Sequence, residues 1–231
     1  LVVGAPGQDG TASNSGAVYV FVYNGTEWEE GAYIKASNAE AEDKFGGEQS
    51  LVISKDGLTI AVCAEGEDSN ALGLSDVSTE GADNSSQSSS AVYVFRKESG
   101  TWSQEAYIKS DHDNDNLFGG ERGLALNKTG TSLAIGTIWN SGSSLGVSRH
   151  SDNEGGKVQA GAVYFYTKTG ASWAITSFLK APNTGSSDQF GMSVAMDETG
   201  ATLIIGAARE SSNASGQGND EATASGAVYV Y

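Results

Sequence analysis

The stretch from Phe45 to Val62 reads "FGGEQSLVISKDGLTIAV", and two relatives follow it: "FGGERGLALNKTGTSLAI" from Phe118 and "FGMSVAMDETGATLII" from Phe190. The copies are about 72 positions apart. A repeat of that length is a structural unit, and its meaning decides the fold. A second phrase occurs four times: "LVVGAP…SGAVYVFVY" from Leu1, "TIAVCAE…SSAVYVFRK" from Thr59, "LAIGTIW…AGAVYFYTK" from Leu133 and "LIIGAAR…SGAVYVY" from Leu203. A third occurs three times, as "TEWEEGAYIKA" around Trp28, "GTWSQEAYIKS" around Trp102 and "ASWAITSFLKA" around Trp173.

Together these phrases predict four strands per unit. The first opens with Phe-Gly, the second is "LxIGA", the third is "GAVYVF" and the fourth is "W…YIKA". Each is short, rich in Val, Ile, Tyr and Phe, and bounded by Gly, Ser, Asn or Asp. No helical periodicity competes. The first and second strands are joined by "SKDGLT" (54–59), "NKTGTS" (127–132) or "DETGAT" (197–202), tight turns in which Gly supplies a positive φ. One antiparallel meander of this kind cannot bury both faces. Radial stacking of copies does so, which predicts an all-β propeller of four-stranded blades, approximately 1–44, 45–117, 118–189 and 190–231.

The "FG" openings, with Gly4-Ala5-Pro6 on the following strand, resemble the FG-GAP repeat of integrin α-subunit propellers and their bacterial relatives. That resemblance covers nearly the whole chain. It implies a longer parent propeller and a role in binding or adhesion at a cell surface or another extracytoplasmic place. The first unit lacks its "FG" strand and the last lacks its "W…YIKA" strand, so the chain reads as cut from something longer, with open end blades suited to assembly. Integrin-type repeats also carry calcium in a DxDxDGxxD loop between the first two strands. The links here are too short to cage an ion.

In a meander the links alternate between two ends. The links 5–16, 36–44, 64–90, 110–117, 137–160, 181–189 and 207–225 fall at one end, the upper face. They hold 19 of the 29 acidic residues but only Lys44, Arg149, Lys157 and Arg209 of the 13 basic ones. Nearly all of the formal charge of −16 is therefore gathered there. Such a face attracts divalent cations or basic partners and repels polyanions, so nucleic acid is not an expected partner. Variable loops on a rigid scaffold suit a binding surface for a protein or a carbohydrate. Asp68 and Asp76, in the longest loop, and the non-repeating Trp139 are the expected partner contacts. An exposed Trp can stack on a sugar or a partner side chain.

The alternating Asp111, Asp113 and Asp115 of "DHDNDN" can converge oxygens on a hard cation, and make Ca²⁺ the one cofactor expected. His112 and His150 lie in loops without a matched Ser or Asp. Cys63 takes the Gly position of "VGA" and reads as a small packed residue. No catalytic residue is assigned, and a non-enzymatic module is expected. A structural accessory subunit of a larger complex and a hydrolytic propeller are the alternatives. Asn24, Asn84, Asn127 and Asn213 begin N-x-S/T sequons, relevant where the chain is secreted by a eukaryote. No run of 18 apolar residues predicts a membrane span.

Overall fold

A computed structural model describes residues 1–10, 12–47, 50–75, 85, 89–112, 118–120, 122–149, 151, 155–212 and 222–231. Its secondary structure among these residues is strand, turn and loop, in four antiparallel sheets that follow one another along the chain. The first holds β1 (Val2–Ala5), β2 (Ala17–Tyr23) and β3 (Trp28–Ile34). The second holds β4 (Leu51–Ile53), β5 (Thr59–Ala64), β6 (Leu74–Ser75), β7 (Ala91–Glu98) and β8 (Thr101–Ile108). The third holds β9 (Leu124–Leu126), β10 (Ser132–Thr137), β11 (Val147–Ser148), β12 (Ala162–Thr169) and β13 (Ser172–Leu179). The fourth holds β14 (Phe190–Met196), β15 (Leu203–Ala207) and β16 (Ala227–Val230).

These sheets are successive propeller blades. The innermost strands β4, β9 and β14 touch in sequence, and β4 also touches β1. The tight turns form as expected: the Ser54, Asn127 and Asp197 amides donate to the Thr59, Ser132 and Thr202 carbonyls at 2.8, 3.1 and 3.0 Å. The third and fourth strands share one irregularity. A register shift falls between Val20 and Phe21, between Val94 and Phe95, and between Phe165 and Tyr166. A bulge at the same place in three blades adds local twist to each.

Two details differ from the four-strand expectation. The second and third blades each gain a fifth strand, in the orders β4-β5-β7-β8-β6 and β9-β10-β12-β13-β11. The long upper loops fold down, so that Leu74 and Ser75 pair with Ile108 and Tyr107, and Val147 and Ser148 pair with Leu179 and Phe178. This covers the upper part of an otherwise open outer edge. The Phe-Gly pair also stands outside the first strand in the second and third blades. Phe45 instead bridges Gly16 of the preceding blade and Ala64 of its own.

The core lies between blades, and the two middle sheets bury both faces. Between the first and second, Val18 and Val20 meet Phe45, Ile60, Val62 and Tyr93. Between the second and third, Ala61, Cys63, Val92 and Val94 meet Phe118, Leu133, Ile135 and Tyr164. Between the third and fourth, Ala134 and Val163 meet Phe190, Ile205 and Tyr229. Each interface repeats one edge-to-face pair: Phe45–Tyr93 at 5.4 Å, Phe118–Tyr164 at 5.3 Å and Phe190–Tyr229 at 5.4 Å. Such pairs contribute about 0.5–1.5 kcal/mol beyond their burial.

The end blades break this symmetry. Ile60, Val62 and Tyr107 are buried on the face each blade turns to its predecessor, but their first-blade counterparts Leu1, Val3 and Tyr33 are exposed. The repeated tryptophans divide in the same way: Trp173 is buried, whereas Trp28 is 55% exposed against Tyr23. The physical reason is that Trp28 lies on the first blade, where no preceding sheet covers it.

Candidate functional site

The upper ends of the blades carry a repeated polar station. Its first member follows the second strand: Gln8, Glu67, Asn140 and Glu210 occupy equivalent places four positions beyond Gly4, Cys63, Gly136 and Gly206. Its second member is the lysine that closes the fourth strand. Lys35 Nζ donates to Gln8 Oε1 at 3.4 Å, Lys109 pairs with Glu67, and Lys180 Nζ donates to Asn140 Oδ1 at 2.8 Å. Lys35 and Lys109 also reach the equivalent hydroxyls of Ser15 and Ser89, each at 2.6 Å.

A third member comes from the loop through which the chain enters the blade from the preceding one. Asn38 Nδ2 donates to Glu67 Oε1 at 3.4 Å and accepts from the Tyr93 hydroxyl at 2.7 Å. Asn183 repeats this, donating to Glu210 Oε1 at 2.8 Å and accepting from the Tyr229 hydroxyl at 2.7 Å. Five residues past each Asn stands a buried aspartate that ties its own loop: Asp43 accepts from the Glu40 amide and Asp188 from the Gly185 amide, both at 2.6 Å. The chain thus writes one relay twice, Tyr to Asn to Glu with an Asp beside it.

Electrostatics follow from burial. Asp43, Glu67 and Lys109 are each no more than 3% exposed. Burial raises the Asp43 carboxyl to about 6, and the nearby Glu67, Glu40 and Asp68 charges add to the rise against the Glu40 amide bond. Burial lowers the Lys109 ammonium, opposed by Glu67. Asp68 is raised by burial and then by Glu67. Burial also raises the Cys63 thiol well above its usual value, and Cys63 Sγ lies 3.3 Å from the Phe118 carbonyl oxygen. A protonated, enclosed thiol of this kind is a packing residue, not a nucleophile.

The expected site residues fall in different surroundings. Trp139 is 37% exposed at the upper end of the third blade, beside the station residue Asn140. Asp68 is half-buried next to Glu67, while Asp76 lies outside the described residues. Asp111 is half-buried and accepts from the Ser151 hydroxyl at 3.0 Å. Asp113, Asp115 and His150 lie outside the described residues, and so do Asn84 and Asn213. Among the described residues, no three His, Cys, Asp or Glu side chains are grouped to hold a metal ion. Asn24 is exposed and its Oδ1 accepts from the Thr26 and Glu27 amides. Asn127 is buried in the turn to β10, with Nδ2 donating to Thr131 Oγ1 at 3.1 Å.

Sequence reasoning saw an acidic upper face and missed that part of it is internal. Asp43, Glu67, Asp188 and Glu210 are buried between or beneath loops. The available signal was the recurrence of Asn and Asp at fixed distances before Phe45 and Phe190.

The Phe-Gly and Gly-Ala phrases, now placed on packed blades, agree with what the chain is similar to. Residues 173–231 match the FG-GAP repeat family. That segment covers the fourth strand of the third blade and all of the fourth blade, so the FG-GAP repeat bridges one inter-blade interface. No curated protein matches the chain. Among solved structures, TolB from Acinetobacter baumannii aligns at 11% identity with a TM-score of 0.30, over 89% of this chain and 46% of that one. The chain therefore spans less than half the length of that protein.

Proposed function

We propose that this chain is a non-enzymatic binding module of FG-GAP blades, which presents an acidic loop face to a basic protein or a carbohydrate outside the cytoplasm. The observation that carries the reading is the division of labour at the upper face. Buried Asp43 ties the loop in which Glu40 and Glu42 remain exposed, and Asp9 is exposed in the preceding upper loop. Trp139 stands exposed at that end with a surface suited to stacking. Calcium assistance through Asp111, Asp113 and Asp115 belongs to the same reading, since an acidic face raises the local concentration of divalent cations. Among the described residues, no helix is long and apolar enough to cross a membrane.

The buried carboxylates are each engaged in a blade interface, an arrangement that favours a structural role for them over acid–base chemistry. The reading as an accessory subunit is favoured by a separate observation, the uncovered apolar faces of the two end blades.

The test is binding of the chain to a panel of neutral oligosaccharides and to an oligolysine peptide, with EDTA or with millimolar Ca²⁺. The expected result is saturable binding to one of the two probe classes, weakened at least tenfold by Trp139→Ala. Binding to neither class under both conditions overturns the reading.

A further inference from the structure

In each of the first three blades the fourth strand carries one bulged residue, and that residue differs from blade to blade. The register shifts leave Gly31, Glu105 and Thr176 without a counterpart on the third strand. Each stands three positions beyond a repeated tryptophan, Trp28, Trp102 or Trp173. A bulge re-aims a side chain out of the regular alternation. Glu105 reaches across to the third blade. One of its oxygens pairs with the Lys168 ammonium, and the other accepts from Trp173 Nε1 at 3.1 Å. The clamp is largely enclosed, with the Lys168 and Glu105 side chains 9% and 15% exposed. Lys168 and Trp173 meet the carboxylate together because they pair across β12 and β13.

The interface between the first and second blades repeats the cation and the indole but not the acid. Lys97 and Trp102 pair across β7 and β8 as Lys168 and Trp173 do in the third blade. The bulged residue of the facing blade is Gly31, which has no side chain to offer. Trp102 Nε1 is enclosed and meets no acceptor among the described residues. Lys97 Nζ makes no ion pair among them and lies 6.0 Å from the centre of the Trp102 ring. Buried donors are nearly always paired, and leaving one unpaired costs free energy.

The approach to these two donors starts at an exposed residue, Gly31. A Cβ there would have Val22 Cγ2 at 2.9 Å, the Val20 carbonyl oxygen at 3.5 Å and Val22 Cβ at 3.9 Å as its nearest neighbours. All three atoms belong to β2 of the same blade, so no part of the second blade closes the start of the path that the Glu105 side chain takes. Val22 is 48% exposed, and its side chain can turn aside. Glu29 pairs with Val22 and shares its face of the sheet. Its carboxylate accepts from Asn24 Nδ2 at 2.6 Å and makes no ion pair with Lys97. A second acid gains there only by taking both donors at once.

We infer that the notch between Gly31, Lys97 and Trp102 binds a carboxylate supplied from outside the chain, held as Glu105 is held in the next interface. One oxygen takes the Lys97 ammonium and the other accepts from Trp102 Nε1. Entry requires Val22 to rotate and the ammonium to turn from the indole ring to the ligand. A carboxylate is favoured over a neutral amide because charge-assisted hydrogen bonds are roughly twice as strong as neutral ones. The carboxylate comes from an acidic side chain of a partner polypeptide or from a free carboxylic acid, and the two present the same group to the notch. Trp102 stands near the start of β8, and the acidic loops lie at the other end of the blades. The two surfaces therefore take groups of opposite charge without competing.

The experiment follows the indole N–H resonances of the isotope-labelled full chain by NMR, with the Trp102 signal assigned through Trp102→Phe. The chain is titrated with propionate, with a capped Gly-Glu-Gly peptide and with its Gly-Gln-Gly counterpart, at constant ionic strength. Both carboxylates should move the Trp102 signal downfield and saturably, the glutamine peptide should not, and Trp173, already bound to Glu105, should stay in place. Lys97→Met, at a partly exposed position, should weaken binding at least tenfold. Gly31→Glu should supply the carboxylate from within, since Gly31 has no positive φ and its backbone accepts a side chain. In that variant the Trp102 signal should move toward that of Trp173 without ligand, and binding should be lost. Equal affinity for propionate and the glutamate peptide would assign the notch to carboxylates at large, and tighter binding of the peptide would assign it to an acidic segment of a partner; either upholds the proposal. No response of Trp102 to either carboxylate overturns it. So does an equal response to the glutamine peptide, or a response that Gly31→Glu leaves unchanged.

Discussion

Lys109 and Glu67 form an ion pair with side chains only 3% exposed, at the upper end of the cleft between the first two blades. The two positions are 42 residues apart in the chain and meet because β5 and β8 flank β7 in one sheet. Taking two charges out of water costs several kcal/mol per ion, and the pair persists because its remaining valences are filled. Ser89 Oγ accepts from the ammonium, and Asn38 and the Ser69 amide donate to the carboxylate.

Removing one partner of this pair should be worse than removing both. Lys109→Met leaves a buried carboxylate and Glu67→Gln leaves a buried ammonium. Each single change should cost about 3–5 kcal/mol. The double variant should recover much of that loss, because no charge is stranded. Urea unfolding of the four proteins as a double-mutant cycle measures this. Additive losses would show that the two residues do not act as a unit.

Asp43 gives the fold a pH dependence with a definite sign. Its folded value, about 6, lies above the ordinary 3.8. The folded state therefore holds an extra proton between those values, and stability falls as pH rises through that window. The loss is complete above pH 6 and amounts to at most about 3 kcal/mol, at 1.36 kcal/mol per unit. Asp43→Asn keeps the acceptor for the Glu40 amide and removes the titration. Unfolding free energy measured from pH 4 to pH 7 should fall more steeply in the parent protein than in this variant. Parallel curves would assign the pH dependence to other groups.

A methyl group should report where blades touch. At Gly136 an added Cβ meets the backbone carbonyl of Gly191, which cannot rotate away. Gly136→Ala should therefore lower stability by about 2 kcal/mol or more, as overpacking of a close interface does. Gly206→Ala, at the same place in the uncovered fourth blade, should stay within about 0.5 kcal/mol, the range of ordinary surface changes. Thermal unfolding of the two variants side by side makes the comparison. Equal losses would mean that the glycine serves its own strand and not the neighbouring blade.

Much of the fold was legible because its signals are local. "LxIGA" and "GAVYVF" alternate in a period of two, and "SKDG", "NKTG" and "DETG" close hairpins through one tight turn each, so strand order follows from the chain order of the phrases. The fifth strands were not legible. Leu74–Ser75 and Val147–Ser148 are two residues long inside polar loops, too short to show a period, and they form only because an open strand edge lies beside them. The exposure of Trp28 was hidden for a related reason. Its phrase matches those of Trp102 and Trp173, and only the absence of a covering sheet distinguishes it.

The sequence by itself determined the repeat, the strands, their antiparallel order and the apolar residues that fill the blade interfaces, because each follows from patterns within a few residues. Only the tertiary structure decided which polar residues form stations. Gln8, Glu67, Asn140 and Glu210 are three different residue types, and nothing nearby in sequence announces that they share a place. They become equivalent when sheet register brings the end of the second strand beside the end of the fourth, and a buried acceptor there must find a donor. Lys35, Lys109 and Lys180 meet that demand in three blades. In the fourth, Glu210 is buried and its carboxylate accepts instead from Asn183 and Ser212.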